Sequence, residues 1–151
     1  MSPQLISHTE LIIAGVSGDG RETAAVWEKF DKMIAEMPIL GKTSDNGYEV
    51  RIYEGNSCIV HVGFAVSDEK VDPAYQILKI PASQYASFDV YPAKGYDSGN
   101  VAMDKWLAEN SREYSERLLG EKHYCVEFYG EKFKCNEPDS IVEIWIPIEK
   151  K

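Results

Sequence analysis

One carboxylate in this sequence stands where a carboxylate is hard to keep. Glu127 lies in the run Tyr124-Cys-Val-Glu-Phe-Tyr129, where an unpaired charge is costly and the pKa is pushed upward. A carboxylate so placed can pair with a cationic ligand or act as a general base. An ion pair with Arg51 or a lysine would also satisfy it. The aromatic candidates for holding a planar ligand beside it are Tyr53, Trp106, Tyr129 and Trp145, because tyrosine and tryptophan join a large apolar body to a polar tip. His61 is a further ligand-binding candidate and could serve as a base, although a lone histidine is more often structural. Sequence order does not pair it with a serine, cysteine or aspartate. Trp27 reads as core.

Other chemistries find little support. Cys58, Cys125 and Cys135 are odd in number and contain no C-x-x-C pair, and His8, His61 and His123 form no H-E-x-x-H pattern, so no metal site is expected. The glycines of Gly15-Val-Ser-Gly-Asp-Gly20 come without a phosphate-loop lysine, which argues against a nucleotide cradle. No organic cofactor is implied.

The elements that must position these residues recur. Leu11 to Val16 is an apolar run stopped by Ser17-Gly18-Asp19-Gly20, and reads as a strand. From Glu22 to Met37, Val26, Phe30, Met33 and Ile34 fall on one helical face, and Pro38 ends the helix. Tyr48 to Tyr53 and Ile59 to Val66, joined by Glu54-Gly55-Asn56-Ser57, read as a hairpin. The same grammar returns in Tyr85 to Tyr91, a helix over Gly99 to Glu109, and strands at Tyr124 to Tyr129 and Ile141 to Ile148. Tyr48 to Tyr53 aligns with Tyr124 to Tyr129 at an offset of 124 − 48 = 76, both reading Y-x-V-x-[IF]-Y. The expectation is one α+β domain over 1–151, with two strand-helix-strand-strand repeats at about 8–68 and 78–150 related by pseudo-two-fold symmetry, and a ligand groove between them. Pro147 suggests that the last strand is near an edge or ends there. Asn110 to Lys122 reads as either a helix extension or a loop.

Alternation divides each strand between two faces. Val50, Ile52, Val126 and Phe128, with Val60, Val62, Phe64, Val142, Ile144 and Ile146, are assigned to the face the helices cover. Glu49, Arg51, Tyr53, Cys125, Glu127, Tyr129, His61, Glu143 and Trp145 fall on the other, and these helix-free faces are expected to join as one concave groove. Glu49 and Glu143 read as solvated charges.

Composition narrows the partners. A 44% hydrophobic and 27% charged chain of 151 residues is that of a globular protein with one core. A formal charge of −9 opposes attraction to phosphate backbones, so direct nucleic-acid binding is not expected. The same charge would suit cationic ligands, or docking onto a basic protein partner. No segment approaches the length of a membrane span and no basic leader opens the sequence, so a cytoplasmic protein with reduced thiols and no membrane partner is expected.

Ile80-Pro-Ala-Ser-Gln-Tyr-Ala-Ser-Phe88, Trp106-Leu107 followed by Asn110, Glu127-Phe-Tyr129 and Val142-Glu-Ile-Trp-Ile-Pro-Ile148, with Val26-Trp-Glu-Lys-Phe30, together resemble the GyrI-like family over nearly the whole chain. The resemblance implies a two-repeat fold. The family includes effector-binding domains of multidrug-responsive and AraC-type regulators, a gyrase-inhibitory protein and standalone hydrolases of cyclopropanoid genotoxins. It therefore implies an aromatic or cationic small-molecule ligand and, as alternatives, turnover of a cyclopropanoid alkylating agent, sequestration of a drug, or contact with DNA gyrase. A chain of this length is expected to leave no room for a helix-turn-helix domain. The family carboxylate that meets cationic or electrophilic ligands corresponds to Glu127. Tyr91-Pro-Ala-Lys-Gly95 departs from the family's usual glycine-rich turn.

Overall fold

The structure, a computed structural model, describes residues 2–151. β1 (Gln4–His8) and β2 (Leu11–Asp19) precede α1 (Thr23–Glu36), and β3 (Lys42–Glu54) and β4 (Ser57–Val66) follow it. β5 (Gln76–Ile80) and β6 (Ser83–Val90) lead to α2 (Asp97–Glu109), then β7 (Tyr114–Glu116), β8 (His123–Tyr129) and β9 (Val142–Lys150). The turn into α1 is closed by the Asp19 carboxylate, which accepts from the Arg21 backbone N–H at 2.9 Å, and by Thr23 Oγ1, which donates to the Gly20 carbonyl at 2.8 Å. Gly55 takes φ 59° in the two-residue turn that pairs Glu54 with Ser57, a left-handed position glycine occupies without a Cβ penalty.

All the strands belong to one sheet, ordered β1-β6-β9-β8-β3-β4-β2-β5, with β7 added to β9. The order reads alike from the middle outward: β3, β4, β2 on one side and β8, β9, β6 on the other. The central β3–β8 pair is antiparallel with Val50 opposite Val126. The sequence offset of 76 carries Val50 onto this cross-strand partner, since 50 + 76 = 126.

Asn110 to Lys122 is neither helix nor plain loop. It contains β7 and a tight turn bridging Leu119 and Lys122, with Gly120 and Glu121 both at positive φ, the geometry of a two-residue hairpin turn. Pro147 is not on an edge strand: β9 lies between β6 and β8. It is tolerated because the pairing of β8 runs only from Glu143 to Trp145 and that of β7 starts at Ile148, so the missing N–H falls in the gap between the two partners.

Both faces of the sheet are buried, and this corrects the expected division of residues. β3 pairs with β4 so that Glu49 is opposite Val62 and Arg51 opposite Val60, which places the polar residues of β3 on the same face as the valines that pack under α1. Val50 and Val126 point the other way, into a core shared with Leu11, Ile13, Tyr48, Ile80, Tyr85 and Trp145. Residues from strands near both ends of the sheet meet in this cluster, so the sheet curls and fills its concave face with side chains. The two helices lie on the convex face: α1 covers β2 and β4, and α2 packs on β6. No helix of the described residues is long and apolar enough to cross a membrane.

Candidate functional site

The helices cover the outer strands of each half, so the strip over β3 and β8 is left open between them. A cavity of about 470 Å³ occupies this strip. Its floor comes from Glu49, Arg51 and Tyr53 of β3, Cys125, Glu127 and Tyr129 of β8, and Ile144 of β9, while Thr23 at the start of α1 and Tyr96 and Asn100 at the start of α2 form its walls. Past Tyr53, Asn100 and Cys125 it adjoins a second hollow of about 350 Å³ that carries Asp104, Glu116 and His123. A larger cavity of about 730 Å³ lies elsewhere, around Asp19, Arg21 and Cys58.

At the centre stand two carboxylates and one guanidinium. Glu49 and Glu127 are direct cross-strand partners, only 3% and 7% exposed. Both accept from Arg51 Nε, at 3.1 and 3.2 Å. Arg51 is held from behind by Thr23 Oγ1, which accepts from Nη2 at 2.8 Å, and by the Gly20 carbonyl at 3.4 Å. Trp27 Nε1 donates to the second oxygen of Glu49 at 2.7 Å, and the Tyr129 hydroxyl to that of Glu127 at 3.3 Å. One guanidinium cannot neutralise two carboxylates, so the cluster keeps either a net negative charge or a proton. Burial, followed by the hydrogen bond and charge of Glu49, raises the Glu127 carboxyl from 4.5 to about 8, with Arg51 acting in the opposite sense. Burial, then Glu127, pushes the Cys125 thiol up to about 12 and holds the Tyr129 phenol far above its usual range. Both are neutral donors rather than nucleophiles at neutral pH.

The arrangement includes the ion pair of Glu127 with Arg51, and Tyr53 and Tyr129 line the same cavity. The other expected groove residues lie elsewhere. Trp145 belongs to the concave core, stacked on Phe128 at 5.0 Å and 4% exposed. His61 is on that face too: its Nε2–H donates to the Ile13 carbonyl at 3.0 Å, leaving Nδ1 to accept from Ser17 Oγ at 2.7 Å. Burial lowers its pKa, so it is a satisfied core histidine and not a base facing a ligand. Trp106 packs on Tyr114 in the core beneath α2. Glu49, read as solvated, is buried opposite Glu127, and Trp27, read as core, also holds Glu49. The signal for Glu49 was in the offset of 76: antiparallel pairing that sets Val50 opposite Val126 also sets Glu49 across from Glu127.

No family model and no curated protein sequence matches this chain, but solved structures do. SAV2435, in a structure bound to tetraphenylphosphonium, superposes with a TM-score of 0.70 at 16% identity over 99% of this chain and 94% of its own. The C-terminal domain of EcmrR gives 0.72 at 14% identity, covering 98% and 97%. A hydrolase from Listeria innocua gives 0.57 at 11%, covering 98% and 92%. At these identities the likeness is one of fold.

Proposed function

From the GyrI-like fold that this chain adopts, we propose that it binds a cationic, aromatic small molecule in the cavity between α1 and α2, with Glu49 and Glu127 as the charge that receives the cation. The observation that carries this reading is the excess of buried carboxylate over guanidinium at the cavity floor. A buried negative charge is expensive to maintain, and an incoming cation that replaces a proton relieves it. Tyr53, Tyr96 and Tyr129 line the cavity as aromatic partners for a planar body. The cavity of about 470 Å³ by itself suits a drug-sized molecule. The structure of SAV2435 with a lipophilic aromatic cation adds support at the level of fold. The test is titration of wild type and Glu127→Gln with the cationic dye proflavine. Loss of about tenfold or more in affinity is expected from removal of a charged partner, and equal affinity would contradict the reading.

A second reading is hydrolysis of a cyclopropanoid alkylating agent, in which Glu127 takes a proton from a water as that water attacks the strained carbon and the ring bond breaks toward a conjugated carbonyl. Burial and Glu49, which raise the Glu127 carboxyl, favour it, since a stronger base takes a proton more readily. Against it, a carboxyl raised to about 8 is mostly protonated at neutral pH, and a base has to be ionised before it can take a proton from water, whereas a bound cation displaces the proton itself. Gain of one water by the compound, seen by mass spectrometry with wild type and lost with Glu127→Gln, would establish turnover.

A further inference from the structure

Every carboxylate oxygen at the floor of the cavity already has an internal donor. One oxygen of Glu49 accepts from Trp27 and one of Glu127 from Tyr129, and the remaining two converge on a single group, the Nε–H of Arg51, at 3.1 and 3.2 Å. Arg51 is the one lysine or arginine among the described residues lining this cavity. Its side chain is 24% exposed while those of Glu49 and Glu127 are 4% and 9% exposed, so a solute entering the groove meets the guanidinium before the carboxylates. Arg51 is thus held as a bound cation would be.

We propose that Arg51 is the resident occupant of the cation seat and decides which cations the groove admits: a ligand has to displace its Nε–H from between Glu49 and Glu127 and supply an N–H donor in its place. This rests on the reading of the groove as a cation site. Displacement does not strip the guanidinium of partners, because Thr23 Oγ1 and the Gly20 carbonyl hold its Nη atoms at the start of α1. The vacated place is bounded by two oxygens that shared one donor. A protonated amine or an amidinium can restore that donor. A quaternary ammonium or phosphonium brings charge without any N–H and leaves buried oxygens unpaired, which penalises it. The ligand class is therefore aromatic cations with N–H donors, selected against quaternary onium ions of the kind bound to SAV2435, so the likeness to that structure extends to an aromatic cation and not to its onium chemistry.

The test is calorimetric titration of the protein with biphenylmethylammonium and with its N,N,N-trimethyl analogue, using wild type, Arg51→Met and Arg51→Lys. Wild type should prefer the N–H cation by about tenfold, the value of one buried charge-assisted hydrogen bond. Arg51→Met, with its seat vacant, should bind the N–H cation at least about tenfold more tightly than wild type, and Arg51→Lys, which keeps a competing cation, should stay within about threefold of it. Arg51→Met binding no more tightly, or wild type showing no preference, would overturn the proposal. If Arg51→Met fails to fold, the Arg51 Nε–H resonance of wild type decides: saturation with biphenylmethylammonium should move it to the position of a solvent-exposed arginine, and an unmoved signal overturns the proposal. Binding that Glu127→Gln weakens but Arg51→Met does not strengthen would refute the role of Arg51 alone. Binding that ignores Glu127→Gln as well would refute the cation site itself.

Discussion

Replacing Glu127 by glutamine preserves side-chain shape and removes a proton equilibrium, so it should alter how stability depends on pH. Burial and Glu49 raise the carboxyl from 4.5 to about 8. Between those values the folded protein binds more protons at this site than the unfolded chain does, and Glu127 therefore makes stability fall as pH rises. The window is 8 − 4.5, or about 3.5 pH units, and at about 1.4 kcal/mol per unit the loss has a ceiling of about 5 kcal/mol. Readjustment of Arg51 and Glu49 around the ionised group lowers the realised figure. His61 works in the opposite sense, since burial lowers its pKa below 6.5 and stability is lost as pH falls through that region. Subtracting wild type from variant cancels the His61 contribution. Urea unfolding followed by far-ultraviolet circular dichroism between about pH 5 and pH 9 gives this difference. Glu127→Gln should gain on wild type as pH rises, by at least about 2 kcal/mol over the range. Parallel pH profiles would refute the reasoning, because they would mean that Glu127 is ionised at no cost in its buried place.

Two further outcomes follow from the division of faces. His61→Ala removes a ring bonded to Ser17 and Ile13 and should destabilise the protein by about 2–4 kcal/mol, with the loss of stability below pH 6.5 reduced; thermal melts measure both, and proflavine affinity should stay that of wild type because His61 lies on the concave face. Quenching of tryptophan fluorescence by a bound dye should be lost in Trp27→Phe, whose indole holds Glu49 at 2.7 Å, to a much greater extent than in Trp145→Phe, and the reverse order would place the ligand in the wrong core.

The longer strands were legible because period-two patterns survive in the residues. β1, β5 and β7 were not, since Gln4–His8, Gln76–Ile80 and Tyr114–Glu116 are short and are made strands by the neighbours they pair with. The faces were misread for a specific reason. Alternation gives two sets of residues per strand but no sign, and here both sets are buried: Val50 and Val126 inside the curled sheet, Val60, Val62 and Ile144 beneath or between the helices. A sheet with one wet face would have fixed the sign. Trp145 and His61 were assigned to the ligand through this ambiguity. Glu127 stands in the groove regardless of the sign, because it shares a face with Arg51 and Tyr53 under either choice. Tyr96 and Asn100 carried no signal at all, as only the approach of α2 to β8 brings them to the carboxylates.

The most direct measurement is a crystal structure of the protein soaked with proflavine. The expected density lies between α1 and α2, with a ring or amino nitrogen of the dye within about 4 Å of a Glu49 or Glu127 oxygen and the Arg51 guanidinium turned toward Thr23. Dye bound instead in the larger cavity around Asp19, Arg21 and Cys58, with the bonds of Arg51 to both carboxylates intact, would contradict the assignment of the groove as the cation site.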